Sequence, residues 1–94
     1  MLTNLATRDR RLAAEGENLL AEIEIDQGHP AAAESALRRS LALTDSARAH
    51  LLSARLALSR GDLSAARNEL ERSRKLDPSD PDLTEIEGAL PQPR

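Results

Sequence analysis

Shifted by 33 residues (47 − 14), the sequence aligns with itself without a gap, Ala14–Ser46 against Ala47–Ser79. Eleven pairs are identical: Ala14/Ala47, Leu19/Leu52, Ala21/Ala54, Gly28/Gly61, Ala32/Ala65, Ala33/Ala66, Leu37/Leu70, Arg39/Arg72, Ser40/Ser73, Leu43/Leu76 and Ser46/Ser79. Ile23/Leu56 and Ile25/Leu58 are conservative. The matches gather at small and apolar positions, where packing is decided. A period of this length is too short for a domain and suits one supersecondary unit that buries its apolar face against a copy of itself.

The residues of each copy specify two helices. The chain has no Phe, Tyr or Trp and no Val, so Leu, Ile and Ala must do the packing. That supply suits closely spaced helices and is poor in the β-branched and aromatic residues that fill sheets. In the second copy Ala47, His50, Ala54, Ala57 and Gly61 recur at helical spacing, then Leu63, Ala66, Leu70 and Ser73 do so again, ending near Leu76. Between them Gly61 can take the positive φ of a helix C-terminus, and Asp62 can cap the next helix. Asp77-Pro78-Ser79-Asp80-Pro81 stops that helix and starts another, with Asp80 as N-cap and Pro81 at its first position. The first copy follows the same plan: a helix to Gln27, a Gly28-His29-Pro30 turn, a helix over Ala31–Leu43, and a break at Thr44-Asp45-Ser46.

Ala54 in mid first helix, Gly61-Asp62 at the turn, Ala66 and Leu70, then Leu76-Asp77-Pro78, resemble a tetratricopeptide repeat. In the first copy Ala21, Gly28, Ala33, Leu37 and Leu43 agree, while Thr44-Asp45 replaces Asp-Pro, and Glu17 and His50 stand where the family often has Trp. The unit is one residue shorter than the family's usual ~34. The resemblance covers about residues 14–90 and implies an all-α fold of antiparallel helix-turn-helix repeats, stacked as a short right-handed superhelix. Expected within one domain over 1–94 are a helical extension (1–13), two repeats (14–46 and 47–80), a capping helix (81–90) and a tail (91–94). Gly88 falls where a third first helix would carry its small residue. Ala21, Ala33, Ala54 and Ala66 are expected to let helices approach closely, with Leu20, Ile23, Leu37, Leu56 and Leu70 filling the gaps. Leu5, Leu12 and Leu19, spaced by seven, would keep one seam along the extended first helix.

Charge and composition narrow the function. Sixteen acids against thirteen Lys and Arg give a net charge of −3, which does not favour nucleic acid as a partner. Without Cys there is neither a disulfide framework nor a thiolate metal site. Residues 1–13 carry Arg8, Arg10 and Arg11 and no apolar run like that of a leader, and no stretch approaches a membrane span. Those features point to the cytoplasm, with a mature periplasmic form as the alternative. The weight of Ala, Arg and Leu suggests a bacterial source of high GC content.

Catalytic constellations are lacking. His29 belongs to a turn and is expected in solvent; His50 lies on the packing side of its helix and is expected in the core. Glu22, Glu24 and Asp26 alternate and so do not form a facing pair on a helix. The four glycines (Gly16, Gly28, Gly61, Gly88) are too scattered for a phosphate loop. No enzyme, metal or cofactor is expected. What the family resemblance implies is a protein-binding module, in which the first helices of successive repeats line a concave groove for a peptide or protein. Carried over, the groove residues are Glu15, Asn18, Glu22 and Ile25 in the first repeat and Arg48, Leu51, Arg55 and Leu58 in the second. Glu22, where a carboxylate-gripping groove would need a cation, speaks against recognition of heat-shock chaperone tails. The alternatives are a self-association module, since Glu15 to Asp26 holds no base, and a domain accessory to a larger assembly or enzyme.

Overall fold

The computed structural model describes the backbone of residues 2–91 and the side chains of residues 6–91. Five helices follow one another: α1 (Leu2–Asp26), α2 (Pro30–Leu43), α3 (Ala47–Ser59), α4 (Leu63–Leu76) and α5 (Pro81–Ala89), with no strand among the described residues. The expected tail beyond Pro91 lies outside the described residues. Two compact units result, residues 1–45 holding α1 and α2, and residues 46–94 holding α3, α4 and α5.

Both hairpins turn by the same chemistry. Gly28 and Gly61 take φ of 78° and 75°, the left-handed conformation that costs a side-chain-bearing residue most. Around each, the donors form a Schellman motif: His29 N–H to the Glu24 carbonyl (2.8 Å) with Gly28 to Ile25 (3.1 Å), and Asp62 to Ala57 (2.9 Å) with Gly61 to Leu58 (3.0 Å). Asp62 caps α4 by accepting from Ala65 N–H (3.1 Å), and Ser46 caps α3 by accepting from Ala49 N–H (3.2 Å). Asp80 caps α5 through Asp82 N–H (2.9 Å), with Pro81 in the first turn where its missing donor is harmless.

In the first unit α1 and α2 meet along Ala14, Ala21, Ala33, Ala36 and Leu37, all buried. The second unit has a cluster of Leu51, Ala54, Ala66, Leu70, Leu83, Ile86 and Leu90, so α5 (Leu83, Ile86) and its C-cap Leu90 complete it with three large side chains. Ala57, Leu58 and Leu63 close its rim. The small residues Ala21, Ala33, Ala54 and Ala66 are buried as expected, but Leu20 and Ile23 do not fill gaps. They are 40% and 51% exposed. The buried face of α1 runs Ala14–Asn18–Ala21, and at ~100° per residue Ile23 points about 160° away from Ala21. Gly88 makes no close approach either, since a Cβ there would meet nothing within 4 Å.

A polar clamp recurs in both units. Buried Ser40 on α2 donates to the Asn18 carboxamide oxygen (2.6 Å) and lies 3.3 Å from the Ala14 carbonyl; its counterpart Ser73 on α4 donates to the Ala47 carbonyl (2.9 Å). Repeat symmetry therefore explains the identity Ser40/Ser73: each hydroxyl reaches the equivalent carbonyl of the first helix, Ala14 in mid α1 and Ala47 at the start of α3. The two differ in what removal strands. Ser40→Ala leaves the buried Asn18 amide without that donor and should cost ~1–3 kcal/mol, whereas Ser73→Ala loses one bond to a carbonyl already in a helix, ~0.5–1.5 kcal/mol. Urea titrations of the two variants should show this ranking.

Candidate functional site

The residues expected to bind a partner divide into two groups. On α1, Glu15 is exposed, Glu22 and Ile25 are half-buried, and Asn18 is only 6% exposed, spent on Ser40. On α3, Arg55 and Leu58 are half-buried, and Arg48 reaches Asp82 of α5 at 2.7 Å. Leu51 has no exposed surface and is a member of the second unit's apolar cluster. Asn18 and Leu51 are thus corrected from surface to interior. They occupy equivalent positions (18 + 33 = 51), so one slot in the hairpin is filled by a hydrogen-bonded amide in the first unit and by a leucine in the second. The second and fourth members of each stripe lie about 20° apart round the helix and both turn toward the hairpin; the second is mid-helix and covered, whereas the fourth stands next to the helix end and is only half covered.

His29 is exposed beside Glu24 (3.1 Å), as a turn residue should be. His50 is 5% exposed and its Nδ1 lies 2.7 Å from Glu69 Oε2, with Arg72 3.8 Å from the same carboxylate. The first unit links its helices at the matching place with Arg39 and Glu17 (2.8 Å). Position 17/50 therefore faces the second helix in both hairpins, with the acid on opposite partners: Glu17 on α1 answered by Arg39 on α2, His50 on α3 answered by Glu69 on α4. These links fasten hairpins; no nucleophile accompanies them in the hydrogen bonds described. Neither link was legible as a pair, because the partners lie 22 and 19 residues apart and are not repeat equivalents.

The second unit also has an open cleft of about 330 Å³ between α4 and α5, floored by Leu70 and Leu90. Its charged walls are engaged with one another: Arg67 donates to the Pro91 carbonyl (2.7 Å), and Arg74 pairs with Glu71 (3.0 Å) and with Glu87. Among the described residues no group of three or more His, Cys, Asp or Glu is placed to hold a metal, and no helix is long and apolar enough to cross a membrane.

Paired helices with small residues at their crossings, Gly-closed turns and a repeated register define a helical repeat protein. A tetratricopeptide repeat family model matches residues 24–90, most of the chain, and the protein belongs to that family. No curated protein and no solved structure matches it. Tetratricopeptide repeats generally mediate protein–protein interaction and are typically not catalytic.

Proposed function

We propose that the protein is a non-catalytic adaptor that holds a peptide or protein partner on the outward sides of its first helices, with α3 of the second unit as the principal surface. One observation carries the reading. In both hairpins the last residue but one of the first helix is an aliphatic residue that packing only half covers, Ile25 and its equivalent Leu58, about one turn after a half-buried charged residue, Glu22 and Arg55. A face meant only for water has no use for the aliphatic member, and a core position would cover it. Arg48, Arg55 and Leu58 favour a partner that brings an acidic group beside an apolar one. Glu15, Glu22 and Ile25 would supply the corresponding surface of the first unit.

Panning a library of random peptides displayed on phage against the full chain tests the proposal. Enriched peptides should be acidic with interspersed apolar residues, bind less tightly as salt rises, and lose roughly tenfold or more of their affinity for Arg55→Glu, as expected for a charge pair turned repulsive. Arg72→Glu on α4 serves as the comparison and should bind them unchanged. Peptides that bind Arg55→Glu as tightly as the parent would put the interface elsewhere.

A further inference from the structure

The face of α1 opposite its hairpin is apolar, and the proposed function does not use it. Leu12, Leu19, Leu20 and Ile23 are 58%, 62%, 40% and 51% exposed, four of the five large hydrophobic residues that are exposed among those described. Leu12, Gly16, Leu19 and Ile23 follow each other at spacings of four, three and four, the alternation that keeps a seam on one side of a helix meeting another. Gly16 in the middle has open space where its Cβ would be. Leu5 would continue the seam, but its side chain lies outside those described.

Two further features say what covers this face. First, α1 is 25 residues long against 14 for α2. Ser40 meets Ala14, and α2 ends three residues later, so the early turns of α1 run past it. Every residue from Ala6 to Ala13 is exposed. A helix bare on all sides gains nothing from packing, and short isolated helices are marginal in water. Second, the charges of α1 are sorted along its length. Arg8, Arg10 and Arg11 lie in the early turns with Asp9 as the sole acid, whereas Glu15, Glu17, Glu22, Glu24 and Asp26 follow with no base. This is the reverse of what the helix's own dipole prefers, with no acid in the first turn and no base in the last.

We infer that α1 is a homodimerisation element: two copies of the chain pair their first helices antiparallel through Leu12, Gly16, Leu19 and Ile23. A second copy in reverse direction is a partner that sets the arginine-bearing early turns of each α1 beside the acidic later turns of the other. With Leu12 opposite Ile23 of the other copy, Leu19 lies over Gly16, and the glycine admits the larger side chain. In an antiparallel pair like flanks meet. Arg8, Arg11, Glu22 and Asp26 share one flank of the seam, so Arg8 and Arg11 of one copy come alongside Asp26 and Glu22 of the other, on both ends of the twofold. Parallel pairing would instead set the basic early turns of the two copies level with each other, and likewise their acidic later turns.

Sedimentation equilibrium of the full chain over a concentration series is the first measurement, with circular dichroism as the control for folding. A reversible dimer is expected, weakened by salt. Leu19→Glu, at a site exposed in the single chain, should keep the helical signal and weaken dimerisation by about tenfold to a hundredfold. Arg8→Glu/Arg11→Glu should do likewise, and its mixture with Glu22→Arg/Asp26→Arg should form heterodimers. Because the chain has no cysteine, direction can be read by crosslinking: Leu12→Cys mixed with Ile23→Cys should give the mixed disulfide, where parallel helices would give the two symmetric ones. A chain that stays monomeric at all concentrations, a dimer indifferent to Leu19→Glu, or symmetric disulfides alone would each overturn the inference.

Discussion

Leu51→Asp is expected to unfold the second unit rather than to disable a binding surface. The side chain has no exposed area and packs with Ala54, Ala66, Leu70, Leu83, Ile86 and Leu90, residues drawn from all three helices of the unit. Removing its apolar bulk costs ~2–5 kcal/mol, and the carboxyl that replaces it must be buried or must pull the hairpin open. Against a total stability of roughly 5–15 kcal/mol for a small domain, most of the folded population is lost. Far-UV circular dichroism should show a marked fall in helical signal or a much earlier thermal transition. Leu19→Asp is the matched comparison. It changes the same residue type at a site 62% exposed and should alter the stability of the single chain by no more than ~0.5 kcal/mol. Equal behaviour of the two variants would contradict the burial of Leu51.

The second large effect is overpacking at the helix crossings. Ala54 on α3 and Ala66 on α4 have no exposed surface and stand together in the second unit's cluster. Leucine at either site adds three carbon atoms with nowhere to go, because close-packed interiors hold few voids larger than a water molecule. A penalty of ~1–3 kcal/mol or more is expected for Ala54→Leu and for Ala66→Leu. At this chain length each kcal/mol lowers Tm by roughly 4–8 °C, so both melts should shift visibly. Unchanged melts would mean that the helices meet in a different register.

The repeat, the turn chemistry and the small-residue crossings were legible in the sequence because each depends on local rules. Only glycine suits the two left-handed turn positions, Asp62 and Asp80-Pro81 are cap signals whatever lies around them, and the identities Ala21/Ala54 and Ala33/Ala66 mark where a second helix presses. The phase of α1 was not legible. Apolar residues occupy two sides of it, Ala14, Ala21 and Ile25 on one and Leu12, Leu19 and Ile23 on the other, and both sets satisfy helical spacing. Size alone would bury the larger set, yet the alanines face α2, because a tight crossing rewards small side chains over bulky ones. The candidate site suffered from the same ambiguity. Arg48, Arg55 and Leu58 keep some exposure, but Leu51 shares their stripe; Leu58 lies only about 20° from it round the helix and differs by standing next to the helix end, where less packs against it.

The way α5 is attached sets the order in which the second unit opens. Three aliphatic side chains (Leu83, Ile86, Leu90) and the links from Arg48, Arg67 and Arg74 hold this nine-residue helix and the turn after it. The ionic links lie near the surface and weaken with salt, whereas α3 carries six buried residues and is packed by both α4 and α5. Amide protons of α5 should therefore exchange with solvent earliest and those of α3 last, with the difference widening as ionic strength rises. Detachment of α5 would uncover Leu70 while α3 and α4 still stand, and the exchange pattern is expected to report this half-open form with its hairpin kept.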